Sequence, residues 1–85
     1  MAQYKIVVRK SVAKDLKKIP KKDAGRIVKA IQALSRNPHP TQSKKLSGEE
    51  KYRLRCGVYR ILYEILDKEL IICVVKVRHR KDVYR

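Results

Sequence analysis

The stretch 51-KYRLRCGVYRILYEILDKELIICVVKVRHRKDVY-84 decides how this chain folds. It opens in strict alternation, with Lys51, Arg53 and Arg55 on one side and Tyr52, Leu54 and Cys56 on the other. Successive side chains of an extended strand leave opposite faces, which sets these three cations in a row roughly 6–7 Å apart. Neighbouring phosphates of a nucleic-acid strand lie at a similar spacing. Gly57 then turns the chain, and strands are expected at about 51–56, 58–66 and 70–77, the last two joined by a tight turn at Asp67-Lys68-Glu69. The run Leu70 to Val75 is apolar on both faces and is expected to be the most buried strand. A second cationic cluster, Arg78-His79-Arg80-Lys81, closes the stretch, with Tyr84 shortly behind it. A sheet with cations at both ends of its last three strands is a plausible cradle for an RNA or DNA backbone.

Upstream the pattern reads as support for that sheet. The β-branched run Tyr4 to Arg9 suggests a strand. Ser11 is positioned to cap a helix in which Val12, Leu16 and Ile19 recur at helical spacing, and Pro20 stops it. A second helix is expected from about Lys22 to Arg36, with Ala24, Ile27, Val28, Ile31 and Leu34 as its apolar stripe. The breaker cluster Asn37-Pro38-His39-Pro40-Thr41 ends it, and a loop carrying Lys44, Lys45 and Gly48 is expected to run to about Glu50. The order strand, helix, helix, three strands gives an α+β fold: a helical hairpin on one face of a small, mainly antiparallel sheet, its other face left for a ligand.

With 85 residues, the chain makes one domain, 1–85, with a single core. A hydrophobic fraction of 44% supplies that core, so the charge does not imply disorder. The net charge of +15 opposes compaction and points to a polyanionic or acidic partner, with nucleic acid first. No signal peptide and no membrane span is expected, and the cysteines Cys56 and Cys73 read as buried free thiols of a cytoplasmic protein. Scattered His and Cys residues make a metal or other cofactor unexpected.

The glycines Gly25, Gly48 and Gly57 form no phosphate loop, and Glu49-Glu50 reads as solvated loop rather than an acid/base pair. A cationic site with one histidine and several tyrosines remains. It suits RNA cleavage by the substrate's own 2′-OH, where protein groups need only orient the nucleophile, neutralise the phosphorane and move protons. Against this stands a solvated cationic face that binds nucleic acid without chemistry. Tyr52, Tyr59 and Tyr63 alternate with apolar neighbours and are expected in the core.

The segment Leu54-Arg55 with Tyr59-Arg60-Ile61-Leu62-Tyr63-Glu64, the apolar strand Leu70 to Val77 and the ending Arg78-His79-Arg80-Lys81-Asp82-Val83-Tyr84 resemble RelE toxins of the RelE/ParE toxin–antitoxin superfamily. The KLSG of Lys45 to Gly48 fits as well, and the resemblance covers essentially the whole chain. It implies a βααβββ fold and a ribosome-dependent mRNA endonuclease that leaves a 2′,3′-cyclic phosphate and a 5′-OH. By position, Lys51 and Arg53 would occupy the basic strand positions of the family's site and Arg60 would stabilise the phosphorane. Arg80 would act on the leaving 5′-oxygen, and Tyr84 would stack on the base beside the scissile bond. Lys44, Lys45, Arg55, Arg78 and Lys81 would bind RNA or the ribosome, including its 16S rRNA. His79 is open between a titrating role and a bland surface position.

The pattern departs at Arg53, where a better-known member carries a lysine thought to act as base. Arginine, with a pKa above ~12, does not give up its proton, so Lys51 or His79 is expected to handle it. The resemblance also implies neutralisation by a RelB-like antitoxin and contact with operator DNA only through that antitoxin. Two alternatives stay open: a ParE-like inhibitor of DNA gyrase with the same fold, and a non-catalytic RNA-binding protein.

Overall fold

The computed structural model describes residues 3–46 and 51–79. Within them the chain runs β1 (Lys5–Val8), α1 (Lys10–Lys17), α2 (Lys21–Ala33), β2 (Ser43–Lys45), β3 (Lys51–Cys56), β4 (Tyr59–Leu66) and β5 (Ile71–His79). Five strands form one sheet in the order β1-β5-β4-β3-β2. Every pairing is antiparallel except that of β1, which runs parallel to β5 from Lys5↔Ile71 to Val8↔Val74. This is the expected α+β arrangement, with one strand more than expected.

That extra strand is β2, in the segment expected as loop. Two lysines in three residues carry no apolar alternation, and its strand state comes from the otherwise unpaired edge of β3, through Ser43↔Leu54, Lys44↔Arg53 and Lys45↔Tyr52. Ser11 does not cap α1. The Arg9 N–H is still tied to the Val74 carbonyl at 3.2 Å, and the helix starts at the next residue, leaving Ser11 inside its first turn. α2 ends earlier than expected because its last residues tighten: Leu34, Ser35 and Arg36 each bond the carbonyl three residues back. β5 runs on to His79, with an irregularity at Leu62/Tyr63 that leaves Val75 without an opposite residue.

The core lies between the helices and one sheet face. Val12, Ile27, Ile31 and Leu34 come down from the helices onto Leu54, Ile61, Tyr63, Ile65, Ile72, Val74 and Val77. Tyr63 is wholly buried and its hydroxyl donates to the Pro38 carbonyl at 2.8 Å. Tyr52 stacks on it with ring centroids 5.6 Å apart, and His39 sets its ring edgewise on Tyr52 at 5.1 Å. Tyr52 and Tyr59 are partly buried against the same core, as their alternation predicts. Two expectations need correction. β5 is not buried on both faces, since Ile71, Cys73 and Val75 are half-exposed, and β4 is buried at least as fully. Cys56 and Cys73 are free but only half-buried, because the face that would cover Cys73 is the open one.

Candidate functional site

Directly opposed residues of paired strands share a face, so the register assigns the cations. Arg55 on β3 faces Arg60 on β4, which faces Arg78 on β5, and three guanidinium groups cross the sheet in one row. Lys44 faces Arg53, which faces Leu62, in the next row. Lys51 follows one step further along the same face, opposite Glu64. This is the face away from the helices, because the intervening Leu54 and Ile61 are core residues.

The β3–β4 hairpin sets this register. Gly57 takes φ +59 at the first of its two loop positions, the geometry that suits the twist of a two-residue turn. A slip of one residue would drive Arg60 into the apolar core. As built, Arg60 is only 8% exposed, and its Nη1 donates to the carbonyls of Gly57 at 3.3 Å and Tyr59 at 3.1 Å. Among the described residues no carboxylate stands within ion-pair distance of Arg53, Arg55, Arg60 or Arg78. Like charges placed directly opposite each other destabilise a sheet, and a charge taken out of water without a counter-ion costs more. Crowded in this way, the cations favour an anionic ligand on this face.

Between β3, β4 and the turn before β2 lies an open cleft of about 360 Å³, lined by Thr41, Gln42, Lys44, Arg53, Arg55 and Arg60. It gathers four of the cations singled out in the sequence. Lys51 flanks it on the same face. Lys45, one residue out of phase with Lys44, pairs with Tyr52 and so points to the other face. His79 also stands apart: it lies opposite Tyr59, with ring centroids 5.5 Å apart and planes at 82°, on the side where Tyr59 packs against the core. Of the two residues expected to handle the proton, only Lys51 shares the face of Arg53. Arg80, Lys81 and Tyr84 lie outside the described residues.

Thr41 and Gln42 were not foreseen as cleft residues. The available signal was Ser43 three residues after Pro40: the Ser43 N–H and hydroxyl both donate to the Pro40 carbonyl, at 2.9 and 2.8 Å, and fold the segment into a turn. The resolved acidity shifts belong to the scaffold. Burial pushes up the Tyr63 hydroxyl and the Cys56 thiol, and the bond to Asp67 at 2.7 Å raises Tyr4. Among the described residues no group of His, Cys, Asp and Glu could hold a metal ion, and no helix is long and apolar enough to cross a membrane.

Comparison with known proteins agrees with this geometry. The family model described as the ParE toxin of the type II toxin–antitoxin system parDE matches residues 6–84. A putative toxin RelE1 of Methanocaldococcus jannaschii is 32% identical, over 98% of this chain and 97% of its own. Among solved structures, the toxin–antitoxin complex RelBE2 of Mycobacterium tuberculosis superposes with a TM-score of 0.82 at 30% identity, covering 94% of each chain. The archaeal RelE–RelB complex of Pyrococcus horikoshii gives a TM-score of 0.84 at 30% identity, over 92% of this chain and 96% of that one.

Proposed function

Because this chain belongs to the RelE family within the RelE/ParE toxins of type II toxin–antitoxin systems, we propose that it is an endoribonuclease that cuts mRNA in the ribosomal A site. The observation that carries the proposal is the row Arg55–Arg60–Arg78 beside Lys44 and Arg53, crowded cations with no carboxylate partner among the described residues. Such a face suits a substrate that brings its own negative charge and its own nucleophile.

In this reading the 2′-oxygen attacks the adjacent phosphorus, the bond from phosphorus to the 5′-oxygen breaks, and a 2′,3′-cyclic phosphate and a 5′-OH result. Arg60, held by two carbonyls, stabilises the charge that develops on the phosphorane. Arg53 shares that work, and Lys51 takes the proton of the 2′-OH. Arg80 stabilises the charge on the leaving 5′-oxygen, which takes its proton from solvent water, and Tyr84 stacks on the neighbouring base. Lys44, Arg55 and Arg78 hold the RNA and the ribosome, as do Lys45, from the other face of the sheet, and Lys81. The protein works in the cytoplasm, where a RelB-like antitoxin neutralises it and links it to operator DNA; RelB complexes are known for the similar toxins named above.

Primer extension on a defined mRNA, with and without programmed ribosomes, tests the proposal. Cuts within the A-site codon that need ribosomes and fade in Arg60→Ala are expected. Intact mRNA from wild-type protein would overturn it. A second reading, inhibition of DNA gyrase, is favoured by the ParE description of the matching family model. A gyrase supercoiling assay blocked by the protein, with mRNA left intact, would support that reading instead.

A further inference from the structure

Where the cations of the cleft hold phosphates, those contacts carry no information about the base. Two of its lining residues are of a different kind. Thr41 and Gln42 are neutral, exposed and set on a braced backbone: the Pro40 carbonyl takes both bonds from Ser43, and the Gln42 carbonyl accepts the Arg55 N–H at 3.2 Å. The Gln42 amide makes no hydrogen bond within the described residues. Gln42 and Arg55 also line a second recess of about 390 Å³ on the far side, against α2, where Ala30, Ala33, Leu34 and Leu54 form an apolar wall. That volume falls in the range of sites that hold small ligands. A strand whose phosphates lie on Arg53, Arg55 and Arg60 passes Gln42, and from there the recess is reached round Gln42 on the α2 side of the sheet.

We propose that Gln42, with Thr41 beside it, reads the edge of one nucleobase of the bound RNA, and that this base lies in the recess against α2. An amide presents a donor and an acceptor together, which is what a base edge matches and a phosphate does not. Unstacked bases of single-stranded RNA are open to such contacts. The inference rests on RNA as the ligand of the cleft, and it gives the protein a sequence preference set by one turn.

The test measures affinity for rA, rC, rG and rU hexamers by fluorescence anisotropy, alongside cleavage profiles on a mixed-sequence mRNA with programmed ribosomes. Wild type is expected to separate its best and worst hexamers by about tenfold. Gln42→Ala narrows that spread to within about twofold, and Gln42→Glu reorders the hexamers, because it trades the amide donor for an acceptor. Lys44→Ala weakens all four alike. Equal wild-type affinities, or an unchanged order in both Gln42 variants, would overturn the inference. Graded binding without cleavage would leave it standing and remove the nuclease reading. Cleavage with the same profile in Gln42→Ala would do the reverse.

Discussion

At the scale of single residues, Arg60 and Tyr63 sit three apart on β4 and so face opposite sides, one toward the cleft and one into the core. Arg60 is a guanidinium whose direction is fixed by two backbone carbonyls. Lysine keeps the charge and loses the planar fork, so Arg60→Lys is expected to lower single-turnover cleavage by about 10²-fold or more. The same change should cost only about 1 kcal/mol in urea unfolding. A variant that cuts like wild type would show that charge alone suffices. Tyr63→Phe removes the bond to Pro38 and is expected to cost about 1 kcal/mol as well. Its pH dependence has a definite sign. The folded state raises the Tyr63 pKa above its ordinary 10.0 and the Cys56 pKa above its ordinary 9.0, both chiefly by burial. Each group therefore holds its proton more tightly folded than unfolded. Its contribution is full below the ordinary value and is lost as pH rises through the folded one. Urea midpoints should fall from about pH 9 upward. Cys56→Ala should blunt the early part of that fall and Tyr63→Phe the later part.

At the scale of elements, the turns decide most. Leu70 closes the β4–β5 turn at φ 54, a conformation that suits Asn or Gly far better than a branched aliphatic residue. Leu70→Asn is expected to raise stability by about 0.5 kcal/mol, read as a higher urea midpoint with an unchanged slope. A loss would mean that the half-exposed Leu70 side chain contributes more than its backbone costs. Turns also mark where the sequence was legible. Gly57 and Asp67-Lys68-Glu69 announced two hairpins, and these fix the register that aligns Arg55 with Arg60. The alternation of residues 51–56 announced which cations share a face, and the apolar periodicity announced both helices. β2 was not legible, because its three residues are strand only by virtue of an edge supplied by a distant segment. The placement of His79 was hidden for a similar reason: its face depends on the pairing with Tyr59 beyond the irregularity near Leu62/Tyr63, which no local pattern encodes. Thr41 and Gln42 joined the site through the same unforeseen strand.

For the whole molecule the question is whether +15 acts as a diffuse cloud or through the cleft. Counter-ion release gives a slope of about −0.7 in log affinity against log salt for each phosphate neutralised on a single strand. Lys44→Ala, in the cleft, should make the slope of RNA binding shallower by about 0.7, whereas Lys22→Ala, exposed on α2, should leave it nearly unchanged. Equal effects from both would mean that the strand lies across the molecule without a preferred seat. The parallel pairing of β1 with β5 has a consequence in time. Among the described strands β1 leaves the ribosome first, yet the strand it pairs with, β5, is made after all the others. The hairpin of β3 and β4 can close earlier, but without β5 the inner side of β4, with Ile61, Tyr63 and Ile65, has no neighbour on that edge. Such pairings between distant segments form slowly. A nascent chain therefore cannot complete the row Arg55–Arg60–Arg78, and the cationic face is whole only when synthesis has passed β5. With the activity proposed above, the protein would in this way be kept inert for most of its own making.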